Sequence, residues 1–148
     1  KFFTLNTAGR QELQRFWDSV KWKSDVMLAT EAGGRVTMRT VSPVYYEDKV
    51  LIFTGAESLK YKQLRENPNC CFSVDGFYAE AAAEFCGPTM DDGNELLRKA
   101  YAEKFPDAFD ADVAFGGREA EFILLKPTRI RGWVFENDVP VAPFEQEF

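Results

Sequence analysis

The chain contains no histidine among its 148 residues. That absence removes the commonest general base and the commonest transition-metal ligand, and it excludes serine–histidine hydrolases and zinc–histidine enzymes. Cysteine is scarce. Cys70, Cys71 and Cys86 have neither the spacing of a zinc site nor the even number of a closed disulfide framework. Adjacent Cys70 and Cys71 would point to opposite sides of a strand and read as small apolar filler. No run of about 18 apolar residues exists to span a membrane, and the opening KFFTLNTAGRQELQRFW turns polar too soon for a secretory segment. A soluble, cytoplasmic protein is therefore expected. Positive charge is also in deficit, with 18 Lys and Arg against 24 Asp and Glu and a formal net charge of -6. Such a chain repels nucleic acid and anionic membranes at long range, so the expected partner is a small molecule.

What is present describes one compact unit. Hydrophobic residues make up 45% and charged residues 28%, and the length suits a single domain over 1–148 with a core that needs no staples. Leu13, Phe16, Trp17 and Val20 recur at helical spacing, which predicts an amphipathic helix from Thr7 onward. DVMLAT and VTMRTVSPV read as two strands joined through EAGGR, where Gly33 and Gly34 can take positive φ. KVLIFT, from Lys49 to Thr54, is a third strand after the turn residues Glu47 and Asp48. A short helix capped by Ser58 should end at Asn67-Pro68. NCCFSV and FYAEAAAEFCG follow as neighbouring antiparallel strands, with Phe77, Ala79, Ala81, Ala83 and Phe85 on one face. Asp92 to Phe105 returns to helical spacing, and Pro106 ends it. PDAFDADVAFGGRE is a long loop, placed to shape an opening for substrate. AEFILLK and TRIRGWVF flank Pro127 as two more strands, and an irregular tail carries Pro140 and Pro143. The sum is a mainly β (α+β) chain: a closed or partly closed antiparallel barrel of six to seven strands with two to three peripheral helices.

The chemistry concentrates in VTMRTVSPVYYEDKVLIFTGAESLKYKQLRENP, Val36 to Pro68. One strand presents Arg39, another ends at Thr54-Gly55, and a helix begins near Ser58 with Lys60 in its first turn. A helix start offers unpaired N–H groups and a positive dipole end to a phosphate. Ser58 can add its hydroxyl, Lys60 a full charge, and Arg39 a forked guanidinium from the facing strand. Taken singly these residues have plainer readings: Arg39 as a solvated strand residue, and Lys60 with Lys62 as the wet side of a helix. Glu80 and Glu84 read as a solvated face of their strand. Together, the order of features resembles the FMN-binding core of the pyridoxamine 5'-phosphate oxidase-like split β-barrels: a basic strand residue, a strand ending in a Thr-containing turn, Ser-x-Lys, then a short helix closing in Asn-Pro.

The resemblance implies FMN as cofactor, its phosphate on Arg39, Ser58 and Lys60, and Thr40, Val41, Phe53 and Thr54 near the ribityl chain and ring. It implies a homodimer with the flavin ring at the interface, and an oxidoreductase acting on a small molecule. Trp133, on the strand RIRGWVF, reads either as a core aromatic or as a flavin contact. Two departures from the family pattern stand out. Leu59 occupies the place where the oxidases proper have an arginine, and the histidine of their C-terminal Arg-x-His is absent, so oxidation of pyridoxine phosphate is not expected. The flavin itself supplies the redox chemistry, so a missing histidine does not disqualify an FMN-dependent enzyme. Two other readings stay open: a flavin carrier or sensor without turnover, and a site for another flat cofactor such as haem or deazaflavin. Haem is disfavoured by the lack of histidine.

Overall fold

The computed structural model describes residues 7–148, with side chains from Gly9 onward. Helix α1 covers Thr7–Trp22 and is followed by strands β1 (Val26–Ala32), β2 (Arg35–Val41), β3 (Val44–Tyr46) and β4 (Lys49–Thr54). Helix α2 is Leu59–Glu66, strands β5 and β6 are Asn69–Val74 and Phe77–Pro88, and helix α3 is Glu95–Lys104. The chain ends in the long strand β7 (Glu121–Glu136) and in β8 (Val139–Glu147). All pairings are antiparallel, in the order β2-β1-β5-β6-β7-β4-β3, with β8 also on β7.

Four two-residue turns set this register. Gly33-Gly34, Glu47-Asp48, Asp75-Gly76 and Asn137-Asp138 all have positive φ at both positions, the backbone that matches the twist of a tight hairpin. Strand β7 accounts for the open side of the barrel. One of its edges runs along β6, whereas the other is shared, with β4 on Glu121 to Leu125 and β8 on Arg129 to Glu136.

The expected count of six to seven strands becomes eight, for three local reasons. Pro127 does not end a strand: β7 passes through it on a bulge between Glu80 and Ala81 of β6, where the Thr128 hydroxyl donates to the Glu80 carbonyl at 3.2 Å. VTMRTVSPV is broken at Ser42-Pro43 into β2 and β3. The tail with Pro140 and Pro143 is not irregular but forms β8, whose only ladder partner among the described residues is β7, so its other edge tolerates residues without an N–H.

The barrel interior is filled by Leu28, Val50, Ile52, Phe72, Ile123, Leu125 and Ile130, and plugged by Phe16, Trp17 and Val20 of α1. A second cluster gathers Leu51, Phe122 and Leu124 under Leu97 and Tyr101 of α3. The four central residues of KVLIFT are all apolar for this reason: Val50 and Ile52 face the barrel, and Leu51 and Phe53 face the second cluster. The alternation expected of β6 holds, with Phe77, Ala79 and Ala81 buried while Tyr78 and Glu80 are exposed. Cys70 is likewise buried and Cys71 exposed, and burial raises the Cys70 thiol to about 12.

Candidate functional site

The site is built where α2 lies against the β1–β2 hairpin. Arg39 sits opposite Leu28, and Thr37 opposite Thr30, so the guanidinium lies beside two hydroxyls on the same face. It donates through Nη1 to Thr30 Oγ1 at 2.7 Å and through Nη2 to Thr37 Oγ1. Both threonines in turn donate to Oε1 of Gln63, each at 2.6 Å, and Gln63 Nε2 donates to the Arg35 carbonyl at 3.0 Å. Gln63 and Thr30 are buried. A buried amide one helical turn beyond Lys60 thus ties α2 to the hairpin and holds Arg39 through the two threonines. Among the described residues the Nε–H of Arg39 has no protein acceptor, and that donor is available to a ligand.

Helix α2 starts as the sequence predicts. Ser58 is its N-cap, with Oγ accepting from the Tyr61 N–H at 3.3 Å, and Thr54 Oγ1 lies 2.8 Å from Ser58 Oγ. With Thr54 as donor, Ser58 accepts twice and keeps its own O–H for a ligand oxygen. The N–H groups of Leu59 and Lys60, in the first turn, have no intrahelical partner.

The electrostatics single out one lysine. Helix α2 carries three cations: Lys62 lies 3.8 Å from Glu57, and Arg65 lies 4.0 Å from Glu121 while donating to Tyr61 Oη at 2.8 Å. Lys60 has no carboxylate partner among the described residues. Its ammonium is held below the ordinary lysine value, first by burial and then by the charge of Arg39. Burial also lowers Arg39. Arg39 on β2 and Lys60 at the start of α2 are thus two half-buried cations that repel each other and have no carboxylate partner among the described residues, an arrangement an anion would relieve.

The remaining candidates are distributed differently. Val41 is buried in the barrel core, whereas the Thr40 side chain emerges on the outer face of β2. Thr54 joins Ser58, but Phe53 turns to the other side of β4 and packs on Tyr101 with ring centroids 4.9 Å apart. The side chains of Thr40, Val41 and Phe53 therefore do not join the hydrogen-bonded cluster of Arg39, Thr30, Thr37 and Gln63. Trp133 is 50% exposed on the outer face of β7, which β1, β5 and β6 separate from β2 along the sheet. It is no core aromatic, and within one chain it does not meet Arg39. Thr30, Thr37 and Gln63 are not among the residues the sequence nominates. Only the helical spacing of Lys60 and Gln63 hints at them, because their convergence depends on hairpin register.

No family model matches the sequence, and no curated protein does. Solved structures do match. A Listeria innocua protein assigned provisionally as a pyridoxamine 5'-phosphate oxidase aligns over 80% of this chain and 95% of its own, with a TM-score of 0.63 and 15% identity. An FAD-binding protein from Mesorhizobium loti aligns over 79% and 90%, at 0.64 and 13%. A heme binding protein from Mycobacterium smegmatis aligns over 98% of this chain, which spans 60% of that protein, at 0.66 and 12%. Identities this low speak to the backbone and leave chemistry to the residues themselves. With its eight antiparallel strands, its shared β7 edge and these neighbours, the chain has the split β-barrel fold of the pyridoxamine 5'-phosphate oxidase-like proteins.

Proposed function

We propose that this protein binds FMN, with the phosphate held by Arg39, Lys60 and Ser58, and that it acts as an FMN-dependent oxidoreductase on a small molecule. The observation that carries the reading is the Arg39–Lys60 pair: two partly desolvated cations, one on β2 and one in the first turn of α2, with no carboxylate partner among the described residues. A phosphate dianion relieves their mutual repulsion and accepts from Lys60, Arg39, Ser58 and the first-turn N–H groups together. The residues fit the group on this chemistry. Bound FMN would supply the electron and hydride transfer. The chain's own contribution is to grip the phosphate, to fix Arg39 through Gln63, and to set the β2 and β4 backbones along the ring. The described FAD-binding and heme binding neighbours share the backbone and support a flat cofactor, and the phosphate-sized anion site favours a flavin nucleotide over haem.

The same reading includes a homodimer with the ring near the interface. The outer face of the sheet carries Val36 and Met38 on β2 and Tyr78 and Trp133 on β6 and β7, all exposed. Covering this face with a second copy would bury them. A flavin carrier or sensor uses the same phosphate grip. It is separated from an enzyme by whether bound FMN is reduced and reoxidised with turnover of a nicotinamide donor.

The test is comparative binding. FMN and riboflavin share a ring and differ by the phosphate, so a phosphate site predicts clearly tighter FMN binding, with the difference shrinking as salt screens the charges. Equal affinity for the two ligands contradicts the assignment. Sedimentation of the FMN complex as a monomer contradicts the interface.

A further inference from the structure

On the side of β4 away from Thr54, an open-mouthed cavity of about 340 Å³ lies between α3 and the segment from Phe105 to Gly116. Its walls are aromatic. Tyr101 stands 4.9 Å from Phe53 and 5.3 Å from Phe105 by ring centroids, and Phe115 and Val113 form the rim. Two of the polar side chains at its edge, Tyr101 and Lys104, are already engaged. The Tyr101 hydroxyl donates to the Ser42 carbonyl at 2.9 Å. The Lys104 ammonium donates to the carbonyls of Val20 at 2.9 Å, Lys23 at 2.6 Å and Pro43 at 2.7 Å, which uses all three of its protons. The other charged side chain on the rim is Asp107, an exposed carboxylate that repels anions.

Phe115 is the second observation. It is fully exposed and has a φ of 62°, a left-handed backbone that a bulky side chain adopts only where its surroundings impose it. The surroundings do so here: the Gly116 N–H donates to the Val113 carbonyl at 3.1 Å, and the Gly117 N–H to the Ala108 carbonyl at 2.6 Å. The buried Thr89 hydroxyl holds the Gly117 carbonyl from the other side. The fold thus fixes a strained turn whose effect is to present a phenyl ring to water beside an aromatic recess.

We propose that this cavity is a binding site for a flat, uncharged aromatic molecule of one or two fused rings, with Phe115 stacking over its exposed face. The volume lies at the small end of ligand pockets, which excludes a dinucleotide. With all three Lys104 protons committed to carbonyls and its charge offset by Asp107, the rim offers neither net positive charge nor a forked donor to a phosphate, sulfonate or carboxylate group. Phe53 and Thr54 leave β4 on opposite sides, so this inference stands apart from the FMN reading and can fail without it.

The experiment is titration of flavin-free protein with 2-naphthol, neutral at pH 7, and with 2-naphthalenesulfonate, its anionic counterpart, followed by calorimetry. One 2-naphthol per chain is expected, with the sulfonate at least about tenfold weaker. Phe115→Ser should weaken 2-naphthol about fivefold or more through the lost stacking contact. Val113→Trp, which fills the mouth from an exposed position, should abolish binding. Both variants should keep the parent's melting temperature and its affinity for FMN. No binding of 2-naphthol, equal binding of both probes, or unchanged binding in both variants overturns the proposal. Displacement of 2-naphthol by riboflavin also overturns it, because the cavity would then be the seat of the flavin ring.

Discussion

Replacing Gln63 by methionine keeps the volume of the side chain and removes its amide, so the variant isolates the polar network beneath Arg39. Gln63 is 4% exposed, and its Oε1 is the shared acceptor for the Thr30 and Thr37 hydroxyls. Thr30, at 2% exposure, keeps the bond it accepts from Arg39 but has no water for its own O–H, and a buried donor without an acceptor costs about 1 to 3 kcal/mol. Thr37 is only half-buried and rehydrates, and the 3.3 Å approach of the two hydroxyls provides a weak substitute bond. The net expectation is about 2 kcal/mol, which for a chain of this size lowers the melting temperature by roughly 4 to 8 °C. Gln63→Glu is the informative companion. Its carboxylate still accepts from both threonines, but it loses the donor to the Arg35 carbonyl and sets an anionic oxygen against it, while placing a negative charge beside Arg39 and Lys60. FMN affinity should fall by about tenfold or more while riboflavin affinity does not change. Thermal melts followed by circular dichroism and ligand titrations by fluorescence quenching read both effects. A Gln63→Met protein that melts within about 1 °C of the parent refutes the structural role of the network. A Gln63→Glu protein that binds FMN normally refutes its link to the phosphate site.

Three further outcomes follow from the same geometry. Lys60 is lowered in the free protein, and a bound phosphate should return it toward its ordinary value. Binding then takes up a proton above the lowered value, and FMN affinity declines as pH rises toward about 10.4 while riboflavin affinity stays flat; calorimetry in two buffers of different ionisation enthalpy measures that proton. Gly117→Ala puts a Cβ 2.7 Å and 2.9 Å from Phe109 ring atoms and 3.0 Å from Phe53, and this overpacking should cost about 1 to 3 kcal/mol in a urea melt. With Leu59 in place of an arginine and no histidine, the FMN-loaded protein should leave pyridoxine phosphate unconverted; rapid appearance of pyridoxal phosphate would show otherwise.

The parts of the fold legible in the sequence are those set by short-range chemistry. The Ser58 cap, the Asn67-Pro68 stop, the Gly33-Gly34 turn and the alternation of β6 each depend on neighbours a few residues away, and all appear where the pattern puts them. Strand β8 was hidden because proline normally argues against a strand, and only its edge position makes Pro140 and Pro143 acceptable. The network around Gln63 was hidden for another reason. Its threonine partners lie 33 and 26 residues away, and their meeting requires both the hairpin register and the docking of α2. Arg39 and Lys60 could be paired on paper only through the order of motifs. The resemblance puts both Phe53 and Thr54 near the ribityl chain and ring, but the pleat places their side chains on opposite faces of β4, which a motif order does not show.

The most direct test of the central claim is the affinity of the parent, Arg39→Ala, Lys60→Ala and Lys62→Ala proteins for FMN and for riboflavin, at one salt concentration. Each charged hydrogen bond to the phosphate contributes about 1.5 to 3 kcal/mol, so Arg39→Ala and Lys60→Ala should each weaken FMN by roughly 10-fold to 100-fold. Riboflavin should bind all four proteins alike, and Lys62→Ala, which removes only an exposed contact with Glu57, should match the parent for both ligands. If Arg39→Ala and Lys60→Ala weaken riboflavin as much as FMN, these residues support the fold or the ring, and the phosphate site does not exist.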